Sequence, residues 1–265
     1  MPIEISCRFA FTLDCPGDVL LQFEAAAIPE QTILSANTIL PPAEHCARVA
    51  AEDAIGERIW LHAQGLLTVD YTASVEINRV VADIARLDSL PTHRLPGETI
   101  KYLLDSRYCP AERFQSFVDA EFGNLAGGSR IAAMCDWIAQ KFRYQPGTSD
   151  TNTTALDSFV ELRGICRDYA HVMVTFARAS GIPARYASVF APGVNPQDFH
   201  AVADVFLADP GGEGGSWHIV DATRMADPAT TVKIGVGRDA ADVSFLTSFG
   251  PCSLPDKEIA VRLQT

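Results

Sequence analysis

The sequence predicts an α+β protein in which helices pack on an antiparallel sheet, preceded by a β-rich, sandwich-like N-terminal domain. Three observations predict it. The first hundred residues carry short, partly alternating apolar runs separated by turn residues. From residue 113 the apolar positions recur at helical spacing. After residue 184 the pattern returns to strands, so helices come first and strands after. Pro91, Pro96-Gly97 and Pro110 punctuate the change. They place a boundary between residues 90 and 112, with domains over 1–105 and 106–265.

Taken in order, residues 3–11 and 19–25 read as strands. Residues 60–63 and 66–71 read as a hairpin around Gln64-Gly65, followed by a strand over 75–80. Residues 113–122 have a helical pattern. A stronger helix spans 129–142, with Ser129 as N-cap and Ile131, Met134, Cys135 and Ile138 on one stripe. A polar loop over 144–154 leads to a short helix over 155–162 that ends near Gly164. The next helix, 166–180, is closed by Gly181 and Pro183. Strands are expected over 184–190, 201–207 and 217–221, with residues 209–215 as a glycine-rich hairpin tip. The tail from 232 reads as further strand, turning at Gly250-Pro251.

Composition narrows the function. Of 265 residues, 48% are hydrophobic, enough for a packed core. Asp and Glu outnumber Lys and Arg by 33 to 21, giving a net charge of −12. A chain this acidic is repelled by phosphate backbones and anionic lipid, so neither nucleic acid nor a membrane surface is expected as partner. No apolar run approaches the roughly 18 residues that cross a bilayer, and the N-terminus lacks the basic-then-apolar pattern of a secretory signal. The cysteines are Cys7, Cys15, Cys46, Cys109, Cys135, Cys166 and Cys252. Their odd number, wide spacing and lack of any CxxC fit a reducing, cytoplasmic setting and leave room for one cysteine with chemistry.

Cys166 is placed for it. It follows Gly164-Ile165 at the start of a helix whose buried stripe includes Tyr169, Ala170, Met173, Val174 and Ala177. Free N–H groups and the positive end of the helix dipole favour a thiolate there. They also suit an oxyanion forming beside the sulfur. By itself a free cysteine is more often a small buried hydrophobe. His200, at the mouth of one strand, and Asp221, at the end of another, strengthen the case. If the two strands pair with Leu207 opposite Ser216, Val202 faces Asp221 and His200 lies one diagonal step away on the same side. A one-residue slip would separate them.

Gly164-Ile165-Cys166-Arg167-Asp168-Tyr169-Ala170-His171, Gly181-Ile182-Pro183-Ala184-Arg185-Tyr186, His200-Ala201, Trp217 and Asp221-Ala222-Thr223 together resemble the transglutaminase-like cysteine hydrolase/protease superfamily. Its bacterial two-part members, with a β-rich N-terminal module, look closest. The resemblance runs over residues 129–242 and extends to the segment 237–243; before residue 100 it is architectural only. It implies a papain/transglutaminase-like core, with Cys166 as nucleophile, His200 as general base and acid, and Asp221 as the partner that orients the histidine. It implies thiol acyl transfer on an amide or peptide substrate, most simply hydrolysis, with no cofactor and no metal. Val202 stands where the family usually has tryptophan, and Ala222 where it usually has proline.

Other readings stay open at this level. The acyl group could pass to an amine instead of water. The fold could serve as a non-catalytic interaction module. Cys166, His200 and Asp221 are also zinc-ligand types, although their spacing matches no zinc signature. His171 lies five residues from Cys166 and so points to another helix face. Arg167 and Asp168 read as a polar helix start, with Asp168 also able to meet a substrate amine. Gly235-Val236-Gly237 has no following helix and is not a nucleotide loop. His45, beside Cys46, and His62 lack partners at metal-ligand spacing.

Overall fold

The computed structural model describes residues 1–210 and 214–264, so residues 211–213 of the expected hairpin tip at 209–215 lie outside the described residues. One six-stranded antiparallel sheet contains the N-terminal strands. Strands β1 (Ile3–Leu21), β2 (Gln31–Ile39), β3 (His45–Ala50) and β4 (Glu57–Ile77) come first. Helices α1 (Gln115–Phe122) and α2 (Gly127–Lys141), the short strand β5 (Arg143–Tyr144), helix α3 (Ala155–Glu161), the short strand β6 (Arg163–Gly164) and helix α4 (Cys166–Ala179) follow. Then come β7 (Ala184–Phe190), β8 (His200–Ala208), β9 (Gly215–Val220) and β10 (Val232–Gly237), which form a four-stranded antiparallel sheet in the order β10-β7-β8-β9. The chain ends with β11 (Leu246–Ser248) and β12 (Ser253–Leu263).

In the N-terminal sheet the expected strands 3–11 and 19–25 are one strand, β1, and two larger differences from the sequence expectation stand beside it. The hairpin expected at Gln64-Gly65 is absent: β4 runs straight through. Alternation explains why, since Ile59, Leu61, Ala63, Leu67, Val69, Tyr71, Ala73 and Val75 keep one phase and all turn inward. Gly65, at φ +91°, supplies an irregularity without breaking the ladder, opposite the bulge in β1 between Leu13 and Gly17. The second difference concerns the tail. β11 and β12 both pair antiparallel with β1, so residues 246–263 close the sheet begun by residues 3–21. The sequence reading put that tail with the second half; its strands belong instead to a sheet built from both ends of the chain.

The second half follows its sequence pattern closely. Helix α4 is buried from Asp168 to Arg178 on every side, as expected for a helix covered all round. Met173, Phe176 and Ala177 pack with Met134 and Ile138 of α2 and with Ala203, Val205 and Leu207 of β8. The N-cap of α2 is Ala126 rather than Ser129, whose hydroxyl donates to the Ala126 carbonyl. Helix α3 has the true cap: Thr154 Oγ1 accepts from the Asp157 N–H, and the Asp157 carboxylate accepts from the Thr154 N–H.

A buried charge cluster ties the two sheets together. Asp204, in the middle of β8, is fully buried. Its Oδ2 accepts from Arg185 Nε and Nη2 at 3.0 and 2.9 Å and from Lys233 Nζ at 2.9 Å. Lys233, equally buried, reaches Glu30 at 2.8 Å, and Arg185 reaches Asp53 at 3.0 Å. Burial alone would raise the Asp204 carboxyl; Lys233 and Arg185 outweigh it and hold it at about 2. Asp204→Asn leaves two cations underneutralised and is expected to cost about 3–5 kcal/mol in urea unfolding. The folded value lies below the unfolded one of about 3.9. Stability from this group is therefore present above about pH 4 and lost as pH falls toward 2. The variant should lack that part of the acid limb, and identical acid limbs would count against the cluster as the link.

Candidate active site

Several chain segments meet at one cleft of about 640 Å³ lined by Cys166, His200, Tyr144, Tyr186, Phe199 and Lys257 among others. Cys166 is the first residue of α4 and is half-buried. The other cysteines are also free thiols. The helix start is held from inside. Asp168 is fully buried and its Oδ2 accepts from the Ile165 N–H at 2.8 Å, while Oδ1 accepts from Arg167 Nη1 at 3.1 Å. Asp168 is therefore a structural cap and is not open to a substrate amine. Gly164 is needed for this, because a Cβ there would lie 2.5 Å from the Asp168 Cβ. Arg167 is also occupied: it donates to the Thr153 carbonyl at 3.1 Å and lies over the Tyr108 ring.

His200 opens β8 and is buried. The strand register is the one the sequence reading required: Leu207 pairs with Ser216, and the ladder ends with Ala203 opposite Val220. Asp221 follows at the next step. His200 Nε2 and Asp221 Oδ2 are 3.0 Å apart. The other ring nitrogen, Nδ1, is buried with no other hydrogen-bond partner among the described residues, and the Cys166 thiol lies close enough to raise the ring's basicity. Burial pushes the ring toward the neutral form. The Asp221 hydrogen bond, and after it the Cys166 contact, outweigh burial and raise the histidine to about 9.

Asp221 has little freedom. Oδ1 accepts from the Thr223 N–H and hydroxyl, both at 2.8 Å. Oδ2 accepts from the N–H groups of Met225 and Ala226 at 3.0 and 2.8 Å besides facing His200. Burial opposes its charge, but His200 and these donors keep the carboxyl below its ordinary value. Both oxygens are thus satisfied by protein donors. Among the described residues, no three His, Cys, Asp or Glu side chains gather in a metal-holding cluster.

The residues at the two family departures are buried. Val202 packs with Val189 and Ile219, and Ala222 with the helical core. Trp217 stays out of the cleft and carries the Arg185 guanidinium 4.0 Å above its ring. His171 is sandwiched between Tyr108 and Tyr186, each 5.1 Å away, and its Nε2 accepts from the Ala240 N–H. Burial first, then the nearby Arg167, hold it well below the usual histidine value. It is a neutral support for the 237–243 segment, whose Ala240 and Val243 wall the cleft. His62 pairs with Asp18 at 2.7 Å, on the N-terminal sheet.

Sequence reasoning missed two contributors to the cleft. Tyr144 was read only as the start of a polar loop. Lys257 comes from β12 and donates to both carboxylate oxygens of Asp198, at 2.7 and 2.5 Å, near His200. Neither has a sequence signal, since one sits in a two-residue strand and the other far along the chain.

Residues 118–222 match the family model of the transglutaminase-like superfamily. The crystal structure of a candidate cysteine protease from Cytophaga hutchinsonii shares 31% identity, covers 100% of this chain and 91% of that one, and superposes with a TM-score of 0.91. An uncharacterized protein of Mycobacterium leprae is 29% identical over 186 residues, 67% of this chain. This chain spans 66% of that relative's length. The periplasmic domain of TgpA from Pseudomonas aeruginosa is more distant, at 15% identity over 79% of this chain and 88% of that one, with a TM-score of 0.39. No helix among the described residues is long and apolar enough to cross a membrane. Full-length likeness above 30% identity, together with a family match spanning Cys166, His200 and Asp221, means that this chain belongs to the transglutaminase-like superfamily.

Proposed function

We propose that this protein is a cysteine hydrolase that cleaves an amide or peptide bond through a thioester on Cys166. The observation that carries the reading is the His200 ring, bonded to Asp221 through Nε2, with Nδ1 unpartnered among the described residues and Cys166 near enough to raise the ring's basicity. In this reaction the proton of the Cys166–His200 pair stands on His200 as an imidazolium, and the sulfur attacks the substrate carbonyl carbon. The Cys166 backbone N–H, a helix-start donor with no acceptor inside the helix, meets the oxyanion. The imidazolium gives its proton to the departing amine as the carbon–nitrogen bond breaks, leaving the acyl group on sulfur. Water, deprotonated by His200, then releases the acid. An amine in place of water would give transamidation.

Asp221 supplies two things in this scheme. It fixes the tautomer, so that Nδ1 faces sulfur, and it stabilises the ring's positive charge. Its own position is set by four protein donors rather than by His200 alone. The substrate is a peptide or small amide that fits the cleft, and no cofactor is called for. Seven free cysteines favour a reducing, cytoplasmic location.

Cys166→Ala is expected to abolish turnover of a peptide and amide library while leaving the thermal midpoint within a few degrees of wild type. Turnover by that variant would end the covalent scheme. Asp221→Asn is expected to lower kcat far more than it raises KM; an unchanged kcat would remove Asp221 from the machinery. The pH profile gives a third check. The raised histidine keeps its proton until about pH 9, so kcat/KM should fall as pH rises through about 9. In Asp221→Asn that limb should move down by ~1 unit or more, because the charge favouring the imidazolium is gone. A limb that stays in place would show that another group titrates there.

A further inference from the structure

Tyr144 lies beside the reactive thiol and takes no part in the scheme above. Its placement is built rather than incidental. Helix α3 ends at Leu162, a non-glycine residue in the left-handed region at φ +49° and ψ +40°. Such a conformation costs about 1–3 kcal/mol and persists where the surroundings require it. Here it turns the chain so that β6 runs parallel to β5, with Arg143 opposite Arg163 and Tyr144 opposite Gly164. The Arg143 N–H donates to the Leu162 carbonyl at 2.9 Å, and the Gln145 N–H to the Gly164 carbonyl at 2.8 Å. These bonds clamp the Tyr144 backbone to the segment that enters α4. The ring then leans on Tyr169, with centroids 6.0 Å apart, and Tyr169 is itself backed by Phe142 at 5.4 Å. From that seat Tyr144 lines the cleft with Cys166, its hydroxyl against the Cys166 backbone N–H and sulfur.

We propose that Tyr144 is a catalytic residue that donates its phenolic O–H to the oxyanion formed at Cys166, as the second donor beside the Cys166 backbone N–H. This rests on the thioester reading of Cys166. The phenol transfers no proton: the hydrogen bond strengthens as the carbonyl oxygen gains charge and relaxes when the carbonyl re-forms. Burial, followed by the neighbouring sulfur, pushes the phenol up to about 12, so it keeps its hydrogen at neutral pH. With its backbone fixed by the β5–β6 ladder, the phenol has only its hydrogen bond to re-aim when the charge appears.

The test compares two reactions of the same sulfur in the full chain. Acylation by p-nitrophenyl acetate passes through an oxyanion and releases a p-nitrophenolate burst. Alkylation by iodoacetamide attacks a saturated carbon and builds no oxyanion. Because Cys15 and Cys46 are exposed, labelling is read at the Cys166 peptide by mass spectrometry. Tyr144→Phe should slow the burst by roughly 100-fold or more, in the range seen when one oxyanion donor is lost. Its rate of Cys166 alkylation should stay within about two-fold of wild type. A burst as fast as wild type overturns the proposal. A parallel loss of both rates also overturns it, because the phenol then acts on the thiol and not on the oxyanion. If wild-type protein gives no burst that Cys166→Ala removes, the thioester reading falls and takes this proposal with it.

Discussion

The register of β8 on β9 is the constraint from which the site follows. With Leu207 opposite Ser216 the ladder closes at Ala203 and Val220, and the next step brings Asp221 into reach of the strand that begins at His200. A shift of one residue would turn every side chain of β9 to the opposite face. Asp221 would then point into the helical core, and His200 would lose the partner 3.0 Å from its Nε2. The chemistry of the cleft is thus a consequence of strand pairing before it is a property of any single side chain.

That register is protected from both faces of the sheet. Ala203, Val205 and Leu207 are committed to the core around α4. On the alternate positions, Asp204 is committed to Arg185 and Lys233. A slipped strand would carry a carboxylate into hydrocarbon and leave two buried cations without their counter-ion, a penalty of several kcal/mol. Charge at the centre of β8 is costly in isolation, but it raises the energy of the wrong pairing more than that of the right one. This is how a strand buried on both faces keeps a unique alignment although its apolar pattern is nearly continuous.

The sequence made much of this legible, and physical reasons separate what it reveals from what it hides. Cys166, His200 and Asp221 stand at element ends, where capping and turn residues mark boundaries, so spacing and strand arithmetic are enough to bring the histidine and aspartate together. The course of β4 was hidden because Gly65 resembles a hairpin glycine. Only the unbroken inward phase of Ile59 to Val75 shows otherwise, and that phase reads equally well as two short strands. Asp168 reads as a solvated carboxylate, the usual case in the first turn of a helix; its burial depends on Gly164 leaving room. Tyr144 and Lys257 reach the cleft only through tertiary pairing, in a parallel ladder of two residues and in a strand from the far end of the chain.

The last of these bears on why the N-terminal sheet is there. The loop that delivers His200 is fastened to β12 at two points: the Val261 N–H donates to Gln197 Oε1 at 2.8 Å, and Lys257 grips Asp198. Phe199, next to the histidine, stacks on Phe245 at 4.5 Å and packs edge-on to Phe9 of β1 at 6.4 Å. The backbone just before His200 is therefore held by the sheet that the two chain ends build. In the proposed mechanism an imidazole that shuttles a proton between sulfur and a departing amine tolerates little positional error, since a misplacement of about 1 Å can cost about 10²-fold in rate. β8 fixes the histidine on its C-terminal side. Fixing the other side requires β12, which is inseparable from β1. The N-terminal sheet is thereby a component of the candidate active site's rigidity.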